Sequence, residues 1–124
     1  MPEQIEETLK SFEKIDKVLG TMLLNSVGKI LAKTVTQNNQ MENNWEQEIF
    51  NCLHLGEQLG TLLQLGKLTQ SYLEYPDLNF TSETIKDKQD ETKLLIIISQ
   101  DGVNLGRIRM EIRKVKKILE EITV

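Results

Sequence analysis

Leu94-Leu95-Ile96-Ile97-Ile98-Ser99-Gln100-Asp101-Gly102-Val103-Asn104-Leu105-Gly106-Arg107-Ile108-Arg109-Met110-Glu111-Ile112-Arg113 holds two periodicities in twenty residues. The run Leu94 to Ile98 has no polar break, so as a strand it sends apolar side chains to both faces, and both must be covered. After the polar turn, Leu105, Ile108, Ile112, Val115, Leu119 and Ile122 recur at steps of three and four, the stripe of an amphipathic helix. Asn104 stands where a side-chain oxygen can cap that helix. Gly106, lacking a Cβ, is expected to let the first turn approach the sheet closely.

Working outward, residues 68–75, 78–85 and 93–99 read as three strands, separated by Pro76-Asp77 and by the charged turn Asp87-Lys88-Gln89-Asp90-Glu91. Before them a long helix is expected from Trp45 to Leu65-Gly66, with Ile49, Cys52, Leu53, Leu55, Gly56, Leu59, Gly60, Leu62 and Leu63 within an arc of roughly 180°. Residues 36–44 are amide-rich and read as a connecting loop. Thr21 to Val35, with Asn25-Ser26-Val27-Gly28 in its middle, reads as a β-hairpin. Ile5, Leu9, Phe12, Ile15 and Leu19 predict a first helix stopped by Gly20. The order is α-β-β-α-β-β-β-α. It predicts an α+β fold: a five-stranded, mostly antiparallel sheet between helices, with the first and last helices on one face and the long middle helix on the other.

The 124 residues, 39% apolar and 27% charged with only two Pro, describe a single domain over residues 1–124 rather than a disordered chain. One cysteine, Cys52, excludes an internal disulfide and points to a reducing, cytoplasmic setting. The longest apolar run is far below the ~20 residues of a bilayer span, so no membrane insertion is expected. A net charge of −4 argues against a nucleic-acid partner. The charge is nonetheless polarised: residues 42–92 carry ten acids against three lysines, and residues 107–121 carry six bases against three acids. The basic helix reads as a solvated face.

The element order, the hairpin Leu23-Leu24-Asn25-Ser26-Val27-Gly28-Lys29-Ile30-Leu31-Ala32 and above all the closing stretch from Leu94 to Arg113 resemble the roadblock light-chain family. The resemblance covers about residues 5–122. It implies a roadblock/profilin-like fold and a non-enzymatic homodimer, or a pair with a paralogous roadblock protein. It also implies that the dimer binds and regulates or scaffolds a small Ras-like GTPase. The alternative is a motor or cargo-adaptor light chain gripping a peptide segment of a larger subunit. A small-ligand sensor of related fold is disfavoured by the small aromatic content, three Phe, two Tyr and one Trp.

Catalytic chemistry finds no foothold in the sequence. Cys52 and His54 lie two apart on a helix, about 200° around it, and cannot share a ligand; they read as a core Cys and a solvated His. Gly56, Gly60 and Gly66 lack the Lys-Ser/Thr of a phosphate loop. No Ser-His-Asp pattern is present, so no enzyme, metal or cofactor is expected.

What stands out is the excess apolar arc on the middle helix and an unguarded strand. The strand Leu68-Thr69-Gln70-Ser71-Tyr72-Leu73-Glu74-Tyr75 has no Pro and no inward Lys to prevent edge pairing. The expected dimer interface is therefore Leu68, Thr69, Gln70, Ser71, Tyr72 and Leu73, with Gly56, Gly60 and Leu63, the glycines marking a line where another backbone can come close. The expected partner surface is Trp45, Glu46, Ile49, Phe50, Leu53 and Gly56.

Overall fold

The computed structural model describes residues 2–35 and 45–122. Its elements are α1 (Pro2–Leu9), a 3-10 helix (Lys10–Lys14), β1 (Val18–Asn25), β2 (Ile30–Val35), α2 (Glu46–Leu62), β3 (Gln70–Glu74), β4 (Leu78–Lys86), β5 (Thr92–Gln100) and α3 (Leu105–Glu121). The stretch 36–44, read above as a loop, lies outside the described residues.

All neighbouring strands are antiparallel, and the sheet order is β2-β1-β5-β4-β3. The apolar run sits on the central strand and feeds two cores. Leu95 and Ile97 join Leu23 and Ile85 beneath Ile5, Leu9 and Phe12 of the first helical segment and Ile108, Ile112, Val115 and Leu119 of α3. On the opposite face Ile96 and Ile98 join Met22 and Leu24 beneath Ile49 and Leu53 of α2. Two helices on one face and one on the other is the predicted layering.

The first helix is shorter than its spacing predicts. Ile5, Leu9, Phe12 and Ile15 are all buried, but Lys17 takes a positive φ of 73° and the chain enters β1 at Val18. Leu19 packs toward α2, on the other side of the sheet from Ile15, and Gly20 lies within the strand rather than stopping a helix. A step of four between Ile15 and Leu19 continues the helical pattern by coincidence.

At the α3 start, the Asn104 carboxamide oxygen accepts the Arg107 N–H at 3.1 Å, the expected cap. Gly106 does not serve a close approach to the sheet: a Cβ there would face the capping oxygen itself at 3.2 Å. The β1–β2 turn is held by the Asn25 side chain, which accepts the N–H groups of Val27 and Lys29.

The left-handed residue that terminates α2 is Gln64, two residues before the expected Gly66. Leu65 N–H donates to the Gly60 carbonyl at 2.7 Å and Gln64 N–H to that of Thr61 at 3.3 Å, with Gln64 at φ 58°. This is a Schellman cap whose left-handed position is occupied by glutamine instead of glycine. A non-glycine residue there costs about 1 kcal/mol. Gln64→Gly is expected to stabilise the fold by about that amount, read as a rise in the urea midpoint at unchanged slope.

Candidate interaction surface

β3 forms one border of the sheet, and its exposed hydrogen-bonding groups can be assigned. In an antiparallel ladder, alternate residues turn N–H and C=O toward the neighbouring strand. Thr84 N–H donates to the Thr69 carbonyl and Tyr75 N–H to the Leu78 carbonyl, both at 2.9 Å. With Ser71 opposite Ser82 and Leu73 opposite Phe80, residues 69, 71, 73 and 75 therefore face β4. Gln70, Tyr72 and Glu74 turn their backbone groups outward, where no further strand lies among the described residues.

Beside this border α2 carries more apolar surface than the sheet uses. Its buried residues are Ile49, Leu53 and Gly60, whereas Leu55, Leu59, Leu62 and Leu63 are between 54% and 79% exposed. Cys52, Leu55, Leu59 and Leu62 follow one another at steps of three, four and three, the a/d spacing of a helix seam. The seam lies on a flank turned away from Ile49 and Leu53. Cys52 is thus exposed rather than the core residue expected. His54 is exposed as read, its ring stacked on Phe50 with centroids 6.3 Å apart. Among the described residues no group of three His, Cys, Asp or Glu is placed to hold a metal.

The structure sorts the residues expected at interfaces. Leu68 and Leu73 are half-buried against the α2-side core, and Leu68 also covers Gly56. Gln70 donates to the Glu83 carboxylate at 2.7 Å, the Ser71 and Ser82 hydroxyls are bonded, and Thr69 and Leu63 are exposed. Neither helix glycine is vacant for a second backbone. The close approach at Gly60 is already made from within the chain, where a Cβ would stand 2.6 Å from the Gly66 carbonyl oxygen, and that at Gly56 is made by the Leu68 side chain.

Ile49 and Leu53 are 6% and 3% exposed, so they support the outer surface from beneath and present little of it themselves. Phe50, expected outside the packed arc, lies across Gly28, where a Cβ would meet its ring at 3.1 Å. Gly28 also has φ 89°, so the turn requires glycine twice over. Trp45 packs on Phe80 with centroids 5.7 Å apart and has the Lys33 ammonium 5.8 Å from its ring centroid. Lys33 also donates to Glu46 at 2.8 Å; burial pushes the Glu46 carboxyl up, but the Lys33 hydrogen bond and charge prevail and hold it below its ordinary value.

The sequence-based site missed the exposed row Leu55, Leu59 and Leu62. Its three-four spacing was readable, but which part of the wide arc the sheet would leave uncovered was not.

The antiparallel five-stranded sheet with helices on both faces is the roadblock fold, as its likeness to solved structures shows. Solved structures with the same fold include Myxococcus xanthus MglB, with a TM-score of 0.81 at 13% identity, covering 96% of this chain and 86% of that one. A Roadblock/LC7 domain from Streptomyces avermitilis superposes with a TM-score of 0.76 at 11% identity over 91% of this chain and 92% of that one. MglC from Myxococcus xanthus gives 0.61 at 13% identity over 97% and 98%. No family model matches the chain, and no curated protein matches it by sequence.

Proposed function

We propose that two copies of this chain, or one copy and a paralogous roadblock protein, join through β3 into a continuous sheet. The paired α2 helices would then form a non-catalytic platform for a small Ras-like GTPase in the cytoplasm. The observation that carries this reading is the coincidence of an unpaired β3 border with an exposed leucine seam on the helix beside it. A two-fold axis near Tyr72 would satisfy the outward N–H and C=O groups of Gln70, Tyr72 and Glu74 on both chains, and would cover leucines that a monomer leaves in water. The likeness to MglB, MglC and a Roadblock/LC7 domain supports it. Among the described residues no helix is long and apolar enough to cross a membrane.

On this reading Trp45 and Glu46, fixed by Phe80 and Lys33, offer a rigid aromatic and acidic rim to the partner. Selectivity between nucleotide states is the mechanism, because only a difference in affinity for the GDP and GTP forms shifts the GTPase. The test is a pull-down against the host's small GTPases loaded with GDP or with a non-hydrolysable GTP analogue. Preference for one state is the expected outcome. Absence of binding in both states overturns the GTPase assignment and favours the light-chain alternative.

A further inference from the structure

We propose that the groove between α3 and the β3–β4 margin of the sheet, on the face opposite α2, binds an acidic peptide segment. Two adjoining hollows share Gln70 and Arg109: one continues over Tyr72 and Thr81, the other, of about 440 Å³, along Arg113 and Lys116. Arg109, Arg113 and Lys116 stand at steps of four and three on the flank of α3 turned toward β4. At 1.5 Å per residue this row is about 10 Å long, the length of roughly three extended residues.

The groove offers donors in excess of acceptors. Its one carboxylate, Glu83, is already engaged, accepting Lys116 at 3.0 Å and Gln70 at 2.7 Å. Arg109 and Arg113 have no carboxylate within salt-bridge distance among the described residues. Thr81 is 6% exposed, and its hydroxyl has no hydrogen-bond partner. The Tyr72 phenol stays protonated: burial first, then the charges of Glu74 and Asp101, push its pKa above the ordinary value, against the opposing pull of Arg109. Two guanidiniums and the Tyr72 phenol therefore line a channel whose one carboxylate is already bonded, in a chain whose net charge is −4. A ligand that pairs with the arginines must bring its own carboxylates.

The arrangement of those donors selects the ligand class. Recognition of one phosphate needs donors converging on a point. Here they are strung along a channel, which suits a series of carboxylates on an extended chain. Arg107, Lys114 and Lys117, on the outer side of the same helix, line neither hollow. Gln70 and Tyr72 also stand on the β3 border, whereas Arg109 and Arg113 lie off it on α3, so the arginine variants test the groove without altering the proposed dimer edge.

The probe is a fluorescein-labelled oligoglutamate peptide, followed by anisotropy with the full-length protein. Binding that weakens with salt is expected, and the exposed double variant Arg109→Gln/Arg113→Gln should reduce affinity about tenfold or more, two charge-assisted hydrogen bonds being lost. Lys114→Gln/Lys117→Gln, on the outer side, should cost less than about twofold. Circular dichroism checks that each variant is folded. The proposal fails if the peptide does not bind, or if the outer pair costs as much as the groove pair, which would make the attraction diffuse. It also fails if inorganic phosphate or phosphatidylserine vesicles bind with the same arginine dependence while oligoglutamate does not.

Discussion

The double variant Leu55→Glu/Leu59→Glu should run in light scattering as a single chain at tens of micromolar, where the proposed pairing predicts that the parent runs as two. Both leucines are more than half exposed, so neither supports the core, and the far-ultraviolet circular dichroism of the variant should match that of the parent. In a two-fold pair each substitution counts twice, placing four carboxylates in a water-excluded seam. Central contacts of this kind are worth about 2 kcal/mol or more apiece, which projects a weakening of association beyond a hundredfold. Tyr72→Pro attacks the same assembly through the backbone. It deletes an outward N–H without touching a β4 hydrogen bond, and proline is tolerated on that side of an edge strand. If both variants remain two-chain particles, the β3 border is not the junction; a parent that is itself monomeric at that concentration says the same.

Asp87→Ala should be the most destabilising single change outside the apolar core, by about 3 kcal/mol. Asp87 closes the β4–β5 turn, its carboxylate accepting the N–H groups of Gln89 and Glu91 and the Lys93 ammonium. Both side chains are almost fully buried. Removing the acid leaves the lysine charge uncompensated, and breaking such a pair typically costs 3–5 kcal/mol, far more than an exposed ion pair contributes. The hydrogen bond from Lys93 foremost, and those from the Glu91 and Gln89 N–H groups, hold the Asp87 carboxyl below the usual aspartate range, against burial, which acts the other way. A carboxyl lowered in the folded state stabilises the fold above its unfolded value and loses that contribution as the pH falls through its folded value. The parent should therefore lose stability on acidification below about pH 4. Asp87→Asn should lack this component, and urea titrations of both proteins across that window measure the difference. Parallel curves would exclude Asp87 as the titrating group.

The fold was legible where one periodicity had a single interpretation. Five unbroken apolar residues must lie between two layers, and Leu94 to Ile98 does so; the last helix carried both its stripe and its cap. The first helix was misread because apolar spacing at three and four cannot separate a helix from a 3-10 segment followed by a strand. Only the left-handed turn at Lys17 shows that Leu19 belongs to the opposite face.

Long-range contacts hid parts of the candidate surface. Phe50 lies about 60° beyond the expected arc, yet it is packed because the β1–β2 turn reaches up to it. Gly60 read as a place for a second backbone because nothing local reveals that the Gly66 carbonyl already occupies it. On α3, sequence placed Arg109, Arg113 and Lys116 on one flank, but the hollow beside them exists only because the β3–β4 margin of the sheet lies open there.

Ile5 near the start of α1 and Ile122 just past α3 share one core cluster, so both terminal helices occupy the same layer. A label or support attached to the outer side of α1 or α3 would therefore stand on that layer, and the molecule would display α2 toward the surrounding medium. Immobilised on that side, a single chain would present its leucine seam to a second copy in solution.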